Sequence, residues 1–344
     1  MEAFAGYEMP IIYTTIKEEH KAVRNNVGVF DVTHMGEFVV EGEQALDLVQ
    51  WISSNNASTL KINQAQYSCL PNATGGIVDD MLVYRLEEQK FLLVVNASNT
   101  EKDLNWINSQ NTFKAEVTDI SDTMGLLAIQ GPKANEVLQK LTDVKLVDIE
   151  YYHFEVGKFA GIEDVIISAT GYTGAGGFEV YFEEKHGETI WNAIFEAGKE
   201  HNIVPAGLAA RDTLRLEMGY CLYGNDIDDT TSPLSAGLGW ITKLKAKDFV
   251  GKDVLVKQKE EGIKEKLVGF VINGKGIARQ GYLIVDAEGN EIGRVTSGTQ
   301  SPTHGVALGM GYVKTAFSKK ETTINIQIRK KTVEATVVNL PLKK

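Results

Sequence analysis

The chain has 344 residues, 43% hydrophobic and 24% charged, with a formal net charge of −11. That length exceeds one ordinary core, so two or three globular domains are expected, and the acid excess argues against a general nucleic-acid binder. There is no apolar run of about 18 residues to span a bilayer, and two cysteines, Cys69 and Cys221, are too few for a disulfide or metal framework.

The opening MEAFAGYEMP lacks a basic segment followed by an apolar core, so no signal peptide is expected and a reducing, cytoplasmic setting is the default. Gly36-Glu37-Phe38-Val39-Val40 reads as a strand, and Gly42 leads into a helix with Ala45, Leu48, Val49 and Ile52 on one face. Residues 64–97 alternate as paired strands, Tyr67–Leu70, Met81–Tyr84 and Phe91–Val95, after which Asn99 is placed to cap a helix carrying Leu104 and Ile107. The strand–glycine–helix plan returns at Gly125–Ile129, Gly131-Pro132 and a helix with Ala134, Val137, Leu138 and Leu141 on one face. Both apolar sets follow i, i+3, i+4, i+7, which suggests an internal duplication. A lysine-rich stretch at 243–266, with Lys243, Lys245, Lys247 and Lys252, offers a local basic patch. Beyond it the chain is nearly all strand and turn: Leu267–Ile272, Tyr282–Val285, Glu291–Thr296, Val306–Val313, Ile324–Ile328 and Val333–Val338. The predicted fold class is therefore α+β, with antiparallel sheets and helices followed by a small antiparallel β-barrel.

Three stretches carry candidate chemistry. Asp79 and Asp80 stand between the Gly75-Gly76 turn and an apolar strand. Alternation puts Asp80, Leu82 and Tyr84 on one face and Asp79, Met81 and Val83 on the other, so one carboxylate faces an otherwise apolar side. From the residues alone either is a turn aspartate binding amides or a functional acid. Gly171–Gly177 is a flexible turn before a strand with Phe178, Val180 and Phe182 on one face and Glu179, Tyr181 and Glu183 on the other. A phosphate loop would open a helix and carry a Lys-Ser/Thr pair, so that reading fails, and Glu179 by itself reads as an outward strand residue.

The third stretch, 206–235, reads AGLAARDTLRLEMGYCLYGNDIDDTTSPLS. Leu214, Met218, Cys221 and Leu222 follow i, i+4, i+7, i+8, the pattern of one buried helix face, and Arg211 falls on it. A guanidinium there needs a carboxylate from the protein or a ligand. Arg215 reads as structural, bridging to an acid such as Asp212 or to the surroundings of Glu217. His34 reads as a hydrogen-bonded structural histidine and Cys221 as a packed thiol. No triad, metal-ligand spacing or G-x-G-x-x-G opening a helix is present, which disfavours a flavin oxidoreductase. No role follows from the residues alone for Asp226, Asp228 and Asp229.

AFAGYEMP, VGVFDVTHMGEF at 27–38, GGIVDDMLVY at 75–84, GYTG at 171–174, the 206–235 string and TSGTQSP at 296–302 closely resemble, in the same order, the aminomethyltransferase family, the T-proteins of the glycine cleavage system. The resemblance covers nearly the whole chain. It implies a three-domain, clover-like fold: a discontinuous α+β domain from 1–37 and 123–245, an α+β domain inserted at 38–122, and a C-terminal antiparallel β-barrel at 265–344. It implies an enzyme that moves the one-carbon unit of an aminomethyl group, carried on the lipoyl group of H-protein, to tetrahydrofolate, releasing ammonia and forming methylenetetrahydrofolate.

On that resemblance Asp80 is the catalytic acid. A fixed carboxylate orients the folate nucleophile and stabilises developing positive charge, a role favoured here over general-base work. Glu179 would read the pterin through two N–H bonds, and Arg211 would form a wall of the folate pocket. Tyr172, Tyr220, Tyr67, Tyr84, Asn96 and Tyr151 would line it, with Met35 near the reacting end. Lipoylated H-protein, folate and other glycine cleavage components are the implied partners, with neither nucleic acid nor a membrane. A folate-dependent demethylase and a non-catalytic folate-binding assembly factor are the alternatives. The NDIDDTT turn and the aspartate pair favour the transferase over the first, and Met218–Asn225 lacks the K-G-C-Y-x-G-Q string of the second. The chain departs from the family at Ala175-Gly176, where relatives carry an acidic pair.

Overall fold

Two sheets and a closed barrel organise the chain, whose structure, a computed structural model, describes residues 1–329 and 331–343. The chain folds as two compact units, residues 1–68 with 80–211, and residues 69–79 with 212–344.

The first unit opens with a hairpin of β1 (Glu2–Phe4) and β2 (Tyr7–Met9), then α1 (Ile16–Asn25). Thr15 starts that helix by accepting from the Glu18 amide at 3.2 Å, which satisfies one of the orphan N–H groups of its first turn. Next come β3 (Gly28–Asp31), β4 (Gly36–Glu41), α2 (Ala45–Ile52), β5 (Gln64–Pro71), β6 (Ile77–Glu87), β7 (Lys90–Val95), α3 (Thr100–Gln110) and β8 (Glu116–Asp119). They are followed by β9 (Met124–Gln130), α4 (Ala134–Leu138), β10 (Phe154–Phe159), β11 (Ile162–Ser168), β12 (Gly177–Glu183), α5 (Gly187–Gly198), β13 (Val204–Pro205) and the start of α6 (Leu208–Met218), which runs on into the second unit after Arg211. One sheet has the order β10-β11-β12-β9-β3-β13 and the other β5-β6-β7-β4-β8. β13 runs parallel to β3, and the other described pairings in the two sheets are antiparallel.

The six-stranded sheet is covered by α4 and α5, whose Val137, Leu138, Ile190 and Ile194 share one apolar core with Ile129, Ile167 and Val180. Each such side chain contributes about 1.5–3 kcal/mol by leaving water. The repeated strand–glycine–helix plan is present as β4-Gly42-α2 and β9-Gly131-α4. Gly42 and Gly131 have φ of 124° and 133°, and a Cβ would lie 2.8 Å from Lys114 O at the first and 2.4 Å from Asn26 O at the second. Only glycine fits either corner. Two local expectations change. The α4 helix ends at Leu138 and continues to Leu141 as a 3-10 turn. Asn99 makes no side-chain capping bond, because a 3-10 turn over Ala97–Asn99 runs directly into α3.

In the second unit, α7 (Lys252–Glu261) precedes β14 (Glu265–Ile272), β15 (Leu283–Val285), β16 (Glu291–Gln300), β17 (Ala307–Lys314), β18 (Thr323–Ile328) and β19 (Lys331–Val338). These strands close as a barrel in the order β14-β17-β16-β15-β18-β19, which leaves no exposed sheet edge. Phe270, Ile284, Val295, Val313, Ile324 and Val337 lie in its core.

The α6 helix stops at Met218, with Gly219 at φ 74°, so Cys221 and Leu222 lie beyond it and the expected i+7 and i+8 positions are not helical. Arg215 is indeed structural, with its side chain 1% exposed. It pairs with Asp212 at 2.8 Å and with the fully buried Asp226 at 2.6 Å, and donates to Tyr220 O at 2.9 Å and Ser297 Oγ at 2.8 Å. Asp226 also accepts from the Leu222 amide and from Thr296 and Ser297 on β16. Glu217 points elsewhere, accepting from Ser301 and Thr303. The predicted basic patch is partly internal: Lys247 lies over the Phe249 ring, and burial pushes its amine down to about 7.

Candidate functional site

The turn that launches β6 is held within the second unit. Asn72 Oδ1 accepts from the amides of Thr74 and Gly76 at 3.0 and 2.9 Å, and the Ile77 amide donates to Asp228 O at 3.1 Å. A Cβ on Gly76 would sit 1.8 Å from Asp229 O. Asp228 in turn braces its own loop through the Thr230 and Thr231 amides. The acidic run Asp226–Asp229 therefore has structural work: one carboxylate binds Arg215, another folds the loop, and its backbone receives the root of β6.

Along β6 the expected alternation holds: Asp79 is fully buried and Asp80 is half-buried. In the first unit Tyr67 donates its hydroxyl to Asp80 Oδ2 at 2.7 Å, and Asn96 Nδ2 donates to Oδ1 at 2.8 Å and to the Asp80 carbonyl at 3.2 Å. Each carboxylate oxygen thus has its own donor. That arrangement fixes the rotamer of the carboxylate. Tyr67 comes from β5 and Asn96 from the end of β7, the strands on either side of β6, so the sheet itself aims all three groups.

A second constellation forms on β12. Glu179 is 6% exposed, which overturns its reading as an outward strand residue. The residue lies opposite Ser168 in the sheet and accepts from Thr170 Oγ1 at 2.5 Å. Burial pushes its carboxyl above the ordinary value, while the Thr170 bond and the Arg211 charge oppose that rise. Arg211 stacks its guanidinium 4.7 Å from the Tyr172 ring centre, and its buried Nη1 has no hydrogen-bond partner among the described residues. An orphaned cationic donor beside a buried carboxylate suits a ligand that carries both an acceptor and N–H donors.

The glycine-rich turn between them is rigid. Gln130 donates to Thr170 O at 3.2 Å and Phe178 O at 3.3 Å, and accepts from Thr173 Oγ1 at 2.8 Å. Arg24 donates to Thr173 O. A Cβ on Gly171 would lie 2.0 Å from Gln130 Oε1, so glycine there is a packing requirement.

The remaining predicted residues divide. Met35 and Tyr172 are half-buried, as are Tyr67 and Asn96. Tyr84 is fully buried, with its hydroxyl bonded to Tyr181 and Thr170, so it backs the site and presents no surface to a ligand. Tyr151 is 60% exposed and packs edge-on against Tyr152, with ring centres 4.6 Å apart. Tyr220 follows α6 in the second unit, where its amide donates to Arg215 O. His34 is buried, and burial with the Arg211 charge pushes it down to about 4, so it is neutral near pH 7. Sequence reasoning missed Gln130, Ser168, Thr170 and Tyr181, and no local pattern marks them. Tyr181 shares the Glu179 face of β12, whereas Ser168 and Gln130 come from the neighbouring strands β11 and β9, and Thr170 from the turn after β11.

The family model of the GCVT N-terminal domain matches residues 1–246, and that of the glycine cleavage T-protein C-terminal barrel domain matches residues 265–344. A protein named aminomethyltransferase from Flavobacterium psychrophilum is 58% identical over all of this chain and 95% of its own length. One of the same name from Phocaeicola vulgatus is 59% identical over all of this chain and 96% of its length. Among solved structures, glycine cleavage system aminomethyltransferase T from Bartonella henselae matches with a TM-score of 0.92 at 33% identity, over 99% of this chain and 93% of that one.

Proposed function

The chain belongs to the glycine cleavage T-protein family of aminomethyltransferases, and on that premise we propose that it transfers the one-carbon unit of an aminomethyl group on lipoylated H-protein to tetrahydrofolate. Ammonia and 5,10-methylenetetrahydrofolate are the products. The observation that carries this reading is Asp80, half-buried with each carboxylate oxygen held by a separate donor, Tyr67 and Asn96. A carboxylate locked in one rotamer can orient the folate amine and oppose positive charge developing on the transferred carbon without reorganising first.

Glu179 and Arg211 fit the other end of the substrate. The pterin presents adjacent N–H donors to a carboxylate and ring acceptors to a cation, and the orphaned Arg211 Nη1 matches the second demand. Tyr172, fixed beneath the guanidinium, offers a flat apolar face. The lipoyl group arrives on H-protein, with the other glycine cleavage components as further partners. Cys69 and Cys221, both buried and not disulfide-bonded, fit a reducing cytoplasm.

The test combines the purified protein with tetrahydrofolate and aminomethyl-lipoylated H-protein, and follows ammonia and methylenetetrahydrofolate. Stoichiometric formation of both supports the transferase. Folate binding without turnover overturns it in favour of a non-catalytic binder, and turnover only with a methylated amine donor overturns it in favour of a demethylase.

A further inference from the structure

Behind Glu179 lies a cluster of four hydroxyls with no assigned role. Ser168 closes β11, Thr170 follows it, Tyr181 is two residues from Glu179 on β12, and Tyr84 reaches in from β6. All four are 3% exposed or less. Thr170 Oγ1 donates to Glu179 Oε2 at 2.5 Å. Tyr84 OH is 3.1 Å from Thr170 Oγ1, 2.9 Å from Tyr181 OH and 3.2 Å from Ser168 Oγ, and Ser168 and Thr170 are 3.0 Å apart.

Proton counting gives this cluster a direction. A hydroxyl has one proton and two lone pairs. With the Thr170 proton on the carboxylate, Thr170 can only accept, and Tyr84 is the donor that reaches it, since the single Ser168 proton goes to Tyr84. With the Tyr84 proton on Thr170, Tyr84 can only accept from Tyr181 and Ser168. Every donor then points toward Glu179, the one member with no proton to give when ionised. Such aligned chains strengthen their terminal bond.

We propose that Thr170, backed by Tyr84, Tyr181 and Ser168, is a positioning residue that holds Glu179 as a hydrogen-bond acceptor for the amino-pyrimidine edge of the folate. This rests on the reading of Glu179 as the pterin-binding carboxylate. Thr170 touches no ligand in this scheme, since its single proton is already on Glu179. The charged and titratable groups around Glu179 agree: Arg211 on α6 favours the ionised form, whereas Tyr84 on β6 and Tyr181 on β12 are held protonated by burial. The Tyr172 ring centre lies 4.7 Å from the Arg211 guanidinium. Removing the Thr170 hydroxyl leaves Arg211 alone to oppose burial, and a protonated Glu179 loses acceptor capacity on one oxygen.

The test uses the full chain and calorimetry with tetrahydrofolate under anaerobic conditions from pH 5.5 to 9, on Thr170→Val, Thr170→Ser, Tyr181→Phe and Glu179→Gln. Thr170→Val is expected to weaken binding about 10- to 100-fold, the loss of one hydrogen bond to a charged group. Its acid limb of binding should move to higher pH, with turnover at saturating folate unchanged within about threefold. Thr170→Ser should restore both affinity and profile, and Tyr181→Phe should shift the limb the same way by less. In the Glu179→Gln background the Thr170→Val change should add almost nothing. Unchanged affinity of Glu179→Gln overturns the underlying pterin reading. A weakened Glu179→Gln beside an unaffected Thr170→Val overturns the positioning role alone, as does a Thr170→Val loss of the same size in both backgrounds. Should Thr170→Val not fold, an unmoved acid limb in Tyr181→Phe overturns the proposal.

Discussion

Replacing Asp80 with Asn isolates the charge from the geometry. The amide matches the carboxylate in shape, so its oxygen can keep the Asn96 bond that Oδ1 makes at 2.8 Å. Its NH2 then faces Tyr67, whose hydroxyl lies 2.7 Å from Oδ2 and can rotate to accept. Both contacts become neutral hydrogen bonds at a half-buried site open to water, so stability should change by about 1 kcal/mol. The chemical step has no such compensation. Losing a preorganised group that faces developing charge costs about 100- to 1,000-fold in kcat, roughly 3–4 kcal/mol of barrier. The assay is single-turnover formation of methylenetetrahydrofolate from aminomethyl-lipoylated H-protein, with calorimetric tetrahydrofolate binding and a thermal melt on the same samples. Tyr67→Phe, which removes one of the two donors but keeps the charge, should cost about tenfold, the lower end for one hydrogen bond to a charged group. A kcat for Asp80→Asn within threefold of the parent, on a folded protein that binds folate, would refute the electrostatic argument.

Two further outcomes follow from buried carboxyls. Glu37 on β4 is fully buried, both oxygens lack a hydrogen-bond partner among the described residues, and burial with the Asp119 charge pushes it up from 4.5 to about 9. The folded state therefore holds a proton that the unfolded state releases above about pH 4.5, so this group's contribution is fully present at lower pH and is lost as pH rises toward 9. Glu37→Gln should raise the melting temperature at pH 8 and flatten its decline between pH 5 and 9; an unchanged slope contradicts the reasoning. Asp226→Ala should destabilise the second unit by about 3–5 kcal/mol, nearer the lower figure because Arg215 retains Asp212. Peptide-level hydrogen exchange around β16 and α6 reads this loss, and a change under about 1 kcal/mol rules out the pair as an anchor.

Local physics wrote much of this protein into its sequence. Apolar spacing placed α2 and the six barrel strands, because a period of two or 3.6 is set by backbone geometry alone. The glycines at 42 and 131 marked their corners for the same reason, since only a residue without a Cβ fits there. Periodicity marked Arg211 as a guanidinium on an apolar face, whereas family motifs singled out Asp80 and Glu179 and gave all three a role. Tertiary structure decided what each group experiences. Glu179 looked like a solvent-facing strand residue until two sheets closed over it, and Tyr84 looked like a pocket wall until its hydroxyl met Thr170 and Tyr181. Arg215 and Asp226 are eleven residues apart, yet only the turn beyond α6 and the strand β16 bring them into one buried network. The reason is general: burial, pairing and charge environment depend on neighbours distant in sequence, and no one-dimensional pattern records which neighbours those will be.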